Sequence, residues 1–395
     1  MDSLTLTQEI GRGIISERIM KYETTGQTSL ADILGDFVVY RNLIPADPRV
    51  PPADALRIHL GLGAGVLPRK AEPLYGTILA EMLRHARGVE SPRARIEHLI
   101  YIGDTRMNDG TAFRNLCAAG GWPGWAFIGA DDPARPPQTE VEAPLYLANR
   151  WSALPDFLRF LESEGWALDE STAVVIDVDK TAIGARGRND KVIDLARVEG
   201  VKRTVADLLG PRFDEAAFRV AYDELNQPAY HVFTADNQDY LAYICLILGA
   251  GLWELSELIE EVRDGSMASF HDFIARVQRR RSELAPTGQI SIHDDVWERV
   301  EAGDPTPFKA FRYNEYLTTA ARFGDLPGAS PEEVLSQRIV ITEEVRDVAA
   351  ALKGRGCLLF GVSDKPDEAS APSAEQAKRG MKPLHRLETL VVGEA

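Results

Sequence analysis

Four short apolar runs, each closed by a residue that ends or caps a strand, constrain this chain more than any other feature. Residues 96–102 (IEHLIYI) stop at Gly103-Asp104, residues 125–128 (WAFI) at Gly129, residues 172–176 (TAVVI) at Asp177, and residues 357–362 (CLLFGV) at Ser363. An unbroken run, rather than alternation, marks a strand buried on both faces, and hence a parallel sheet covered by helices. Helical periodicity lies beside each run, over 75–87, 112–119, 154–164 and 342–353. The alternation predicts an α/β chain with a doubly wound parallel sheet.

Residues 186–338 read differently. They carry long amphipathic helical patterns, over 191–209, 214–225, 240–262 and 268–284, and no clear strand run. The spacing predicts a helical insertion in the sheet domain. Pro-rich 131–137 and 366–373 read as linkers, and 163–171 (SEGWALDES) joins the two blocks of strands.

At 395 residues the chain accommodates one large or two ordinary domains. Its 44 Lys and Arg face 60 Asp and Glu, for a formal charge of -16, which repels a phosphate backbone and argues against nucleic acid or an anionic membrane as partner. Cys117, Cys245 and Cys357 are dispersed and form no C-x-x-C pair, as expected of buried thiols in a reducing compartment. The opening residues, MDSLTLTQEIGRGI, lack a signal pattern. Residues 241–253 (LAYICLILGAGLW) are too few to span a bilayer and read as a buried helix. The expected location is cytoplasmic.

The chemistry concentrates at two strand ends. Asp177-Val178-Asp179-Lys180-Thr181 follows one apolar run directly. Ligands of open α/β sheets sit beyond the carboxyl ends of strands. Two carboxylates at i and i+2 there flank one substrate atom, one attacking and the other handling protons. A carboxylate nucleophile suits phosphoryl transfer because it divides hydrolysis into two easier displacements. An acidic loop after a strand is the plainer account, and the pentapeptide alone does not separate the two. Gly103-Asp104-Thr105-Arg106-Met107-Asn108-Asp109 repeats the arrangement. Magnesium prefers oxygen ligands and is held by one or two carboxylates plus substrate phosphate, so Asp104 with Asp177 supplies a partial cage. Asn108 or Asp109 can also cap the helix that follows.

These residues resemble the haloacid dehalogenase (HAD) superfamily of phosphatases. Asp177 to Thr181 matches its first motif, D-x-D-x-T, and Gly103 to Asp109 its fourth, G-D-x-x-x-x-D. Ser363 looks like the second-motif Ser or Thr at a strand end. Lys70, in residues 68–73 (PRKAEP), looks like the third-motif lysine, with Lys365 and Lys382 as alternatives. Residues 143–161 resemble the usual end of the fold. The order is third, fourth, first, second, a cyclic rotation of the family's order. Two incomplete halves, each without a working site, are the rival account, but each half contains the motifs that the other lacks. The resemblance implies a permuted HAD-like core over 1–182 and 339–395, with a helical cap over 183–338.

It also implies roles. Asp177 attacks phosphorus, and Asp179 protonates the leaving oxygen and then activates water. Mg2+ is held by the Asp177 carboxylate, the Asp179 carbonyl and Asp104, with Asp109 in support. Ser363 and Lys70 hold phosphoryl oxygens, and Thr181 orders the loop. The expected substrate is a small phosphoester. A dehalogenase, a phosphomutase and a non-catalytic binding protein remain alternatives, and the oligomeric state is not readable. Three further stretches attract attention: 308–313 (FKAFRY) as substrate contact or core, His293-Asp294-Asp295 as metal ligands or a helix start, and 61–65 (GLGAG) as a turn.

Overall fold

The apolar runs pair side by side. The computed structural model describes residues 20–62 and 67–395. The opening stretch read for a signal pattern, and residues 63–65 of the glycine-rich turn, lie outside the described residues. The strands are β1 (Tyr22–Thr28), β2 (Val38–Val39), β3 (His98–Gly103), β4 (Gly124–Gly129), β5 (Thr139–Glu142), β6 (Leu145–Ala148), β7 (Thr172–Asp177), β8 (Ile341–Thr342), β9 (Leu358–Val362) and β10 (Thr389–Glu394). A seven-stranded sheet runs β2-β9-β7-β3-β4-β6-β5. Every neighbour pair in it is parallel except β5 with β6. The chain is therefore α/β with a mostly parallel sheet.

The alternating sides of each strand feed different cores. Val174 and Ile176 of β7 join Ile100 and Ile102 of β3 in one cluster, under the helices Leu154–Ser163 and Glu343–Gly354. Ala173 and Val175 join Leu99 and Tyr101 in another, under Pro73–Glu90 and Asp109–Gly120. Both faces are covered, which is why these strands lack polar alternation. Each fully buried large side chain, such as Phe157 or Ile78, contributes about 1.5–3 kcal/mol.

Between β7 and β8 the chain forms helices and no named strand, from Asp190–Leu209 through Pro331–Gln337. This block has its own core of Phe218, Tyr243, Phe270, Phe273 and Phe311. The expected continuous helix over 240–262 is two helices, Gln238–Gly249 and Leu255–Asp264. The break falls at Ala250-Gly251, where Gly251 takes φ 79°. Likewise, the helix expected over 268–284 spans Phe270–Arg279 and then tightens into a 3-10 segment, Arg281–Thr287. A small second sheet, β1-β10-β8, had no counterpart in the sequence reading. Among the described residues, no helix is long and apolar enough to cross a membrane. Cys117, Cys245 and Cys357 are free thiols.

Candidate active site at the carboxyl edge of the sheet

β9, β7 and β3 are adjacent, so Ser363, Asp177 and Asp104 emerge side by side from their carboxyl ends. Backbone bonds fix those ends. Val178 N–H donates to Val362 O at 2.9 Å, and Ser363 N–H to Val39 O at 3.0 Å. The chain then turns tightly, with Ala182 N–H on Asp177 O at 3.2 Å and Ile183 N–H on Val178 O at 3.0 Å. Within the turn Lys180 has φ 64°, a conformation sparsely used by non-glycine residues and concentrated at functional sites.

Asp109 folds back over the end of β3. Its Oδ2 accepts Asp104 N–H at 3.1 Å and Thr105 N–H at 2.8 Å, so it holds the strand–helix loop from the first turn of the helix. Asn108, at the cap position, makes no side-chain capping bond. The return of Asp109 requires Gly103, where a Cβ would lie 2.6 Å from the Asp109 side chain. That close approach accounts for the glycine of the Gly-Asp pair.

Lys70 reaches the same point from the segment before helix Pro73–Glu90. Its Nζ donates to Asp109 Oδ1 at 2.6 Å and also to Asp177 Oδ1. All three groups are buried. Of the alternative lysines, Lys365 lines the cavity over this site and Lys382 does not. Lys365 donates to Glu315 Oε1 at 2.7 Å, and Lys382 is exposed.

Oxygens of Asp104, Asp109 and Asp177 lie within 4.8 Å of one another. Two cations face these three carboxylates, Lys70 and Arg186, whose Nε donates to Asp104 Oδ2 at 2.5 Å. Burial raises Asp177 well above the usual carboxylate range, and the charges of Asp109 and Asp104 add to this against Lys70. Burial, then Asp109, pushes Asp104 up to about 7 despite Arg186. Against the cost of burial, Lys70 holds Asp109 low. An all-oxygen cluster that is short of positive charge fits a hard divalent cation such as Mg2+.

Asp179 stands apart from this cluster. Its Oδ2 accepts the Ser363 hydroxyl at 2.5 Å, and Ser363 Oγ accepts Lys365 N–H at 2.9 Å. Thr181 is fully buried; its carbonyl accepts the Thr342 hydroxyl at 2.6 Å, while its own Oγ1 has no hydrogen-bond partner among the described residues. Lys70, Asp104, Asp109, Asp177, Asp179, Thr181 and Ser363 thus lie in one neighbourhood. Arg186, and Asp364 next to Ser363 on the same cavity wall, were not anticipated, since a charged residue in a loop leaves no periodic signal.

A cavity of about 410 Å³ opens over Lys70, Asp104, Asp177 and Asp179. The helical block forms its other wall with residues 235–238, 305–306 and Arg312. Within 308–313, Phe308 and Phe311 are core, whereas Arg312 is buried and ion-paired. Its Nε donates to Asp239 Oδ2 at 2.8 Å and its Nη1 to Glu315 Oε2 at 2.6 Å. His293 lies inside helix Ile290–Glu301 rather than at its start. Both of its ring nitrogens are engaged, with Tyr243 Oη at 2.5 Å and Gln278 Oε1 at 2.7 Å, which leaves no nitrogen for a metal.

Comparison of the chain with protein-family models, with curated proteins and with solved structures finds no match.

Proposed function

We propose that this chain is a magnesium-dependent phosphohydrolase of HAD type, with permuted motif order, acting on a small phosphoester through an aspartyl-phosphate. One observation carries the reading: Lys70 meets both Asp177 and Asp109, joining stretches about a hundred residues apart in sequence at one strand edge. A purely structural acidic loop needs no such convergence.

Asp177 and Asp104 would hold the magnesium, with Asp109 behind them. When bound, the ion neutralises charge on the phosphoryl oxygens and draws them toward the nucleophile. The Asp177 carboxylate attacks phosphorus, forming a P–O bond as the bond to the leaving oxygen breaks. Asp179, half-buried and tied to Ser363, gives that oxygen a proton and then takes one from the water that hydrolyses the aspartyl-phosphate. Lys70 offsets negative charge between the two aspartates. The helical block serves as a lid that limits water and shapes the substrate space. Asp179 disfavours a dehalogenase, which needs the nucleophile without the second acid.

The test is hydrolysis of a panel of phosphate esters with and without Mg2+, by the native chain and by Asp177→Asn. The expected outcome is magnesium-dependent release of phosphate that falls to background in the variant, with an unchanged circular dichroism spectrum. Full activity of Asp177→Asn would sink the assignment.

A further inference from the structure

We infer that the cavity takes a substrate bearing a second anionic group, a phosphate or carboxylate, which Arg41 and Arg69 grip away from the reacting centre. The inference rests on the phosphohydrolase reading for the first group and on separate residues for the second.

Most cations lining the cavity are already committed. Lys180 pairs with Asp194 at 2.9 Å, Arg186 with Asp104 at 2.5 Å, and Lys365 with Glu315 at 2.7 Å. Arg197 pairs with Glu315 at 3.3 Å, and Arg312 is held by Asp239 and Glu315. Arg41 and Arg69 also line the cavity, yet among the described residues no carboxylate forms a salt bridge with either. Arg69 is exposed and Arg41 half-buried, so both guanidiniums are open to the cavity in a chain whose other lining cations are paired.

Their surroundings sharpen the point. Burial lowers the Arg41 pKa; the charge of Asp364 opposes this most, while Arg69 and Arg312 lower it further against Asp239. Arg41, Arg69 and Arg312 repel one another, and an anion between Arg41 and Arg69 would add to the attraction that Asp364 supplies from one side. Both residues are rooted in the sheet domain. Arg41 follows β2, with its N–H on Lys365 O at 3.1 Å, and Arg69 precedes the lysine that touches Asp177. A guanidinium presents a planar fork matched to two oxygens of a phosphate or carboxylate. Such a second contact, remote from the reacting bond, fixes the substrate's orientation.

The experiment uses three probes: propanediol monophosphate, propanediol bisphosphate and phosphooxypropanoate. Calorimetry on the Asp177→Asn chain measures binding without turnover, and the native chain measures KM. We expect the bisphosphate, the carboxylate or both to bind at least about tenfold more tightly than the monophosphate. Which of the two gains identifies the anion. The Arg41→Ala, Arg69→Ala double variant should bring that ratio close to one, and the double Lys variant should restore part of it. Equal affinities in the native site, or a ratio unchanged in the double Ala variant, would overturn the inference. An intact, arginine-dependent ratio without turnover would overturn the hydrolase reading alone. Turnover of all three probes at equal KM would overturn this inference alone.

Discussion

Asp104 is a site residue whose charge changes near neutrality. Burial raises it first, the Asp109 charge second, and Arg186 only partly opposes them, so it titrates at about 7. Below that pH, the metal-free site carries a proton where a cation would bind. Binding displaces the proton, and affinity is therefore pH-dependent. On the proposed reading the sign follows: Mg2+ affinity weakens as pH falls through about 7, and the raised Asp177 adds to the loss in the same direction. In Asp104→Asn, binding is weaker throughout and this slope is reduced. Magnesium titrations by calorimetry on either side of neutrality check both points. A native affinity that stays constant as the pH falls would show that Asp104 is not a ligand.

Among elements, the joint between the helices and the sheet edge is held by a buried ionic network. Glu315, fully buried on helix Lys309–Ala320, accepts from Lys365 of the loop after β9, from Arg312 on its own helix, and from Arg197 on helix Asp190–Leu209. Arg312 continues to Asp239 on helix Gln238–Gly249. Burial opposes the Glu315 charge, but the three cations hold its pKa well below the usual range. Replacing it with Ala would leave these cations short of a partner, at a cost of about 3–5 kcal/mol. Urea unfolding of Glu315→Ala measures this. A loss below about 1 kcal/mol would mean that the network is not what fastens the helical block over the cavity.

This joint also marks where the sequence ceases to be legible. β3, β4, β7 and β9 were visible because burial on both faces leaves unbroken apolar runs. β2 and β8 are only two residues each, and β1 reads YETTGQT, mostly exposed, so neither periodicity nor apolarity marks them. The aspartates were found because motif spacing survives in one dimension. Lys70 was found only through the resemblance. Arg186 and Glu315 act through partners far away in sequence, Asp104 and Lys365, and nothing local announces them.

At the scale of the molecule, the decisive property is that a parallel sheet aligns its strand ends without regard to the order in which the chain visits them. Along the chain the motifs run Lys70, Asp104, Asp177, Ser363, while across the sheet β3, β7 and β9 are neighbours. The ends of the described chain meet: β1 pairs antiparallel with β10, and Ala395 N–H donates to Lys21 O at 2.9 Å. A natural place to open the chain lies at Glu164-Gly165, where both residues are exposed and Gly165 turns with φ 76°. Breaks at exposed turns are tolerated when little packing crosses them. A rearranged chain would run from Gly165 to Ala395, continue into Met1, and end at Glu164. Its motifs would then read Asp177, Ser363, Lys70, Asp104, the order of the resembled family. It should fold with the same circular dichroism spectrum and melt within a few degrees of the native chain. Magnesium-dependent hydrolysis should persist, because no strand neighbour and no site residue changes. A rearranged chain that folds but loses magnesium-dependent hydrolysis would mean that the native order itself positions the site, against the permutation reading.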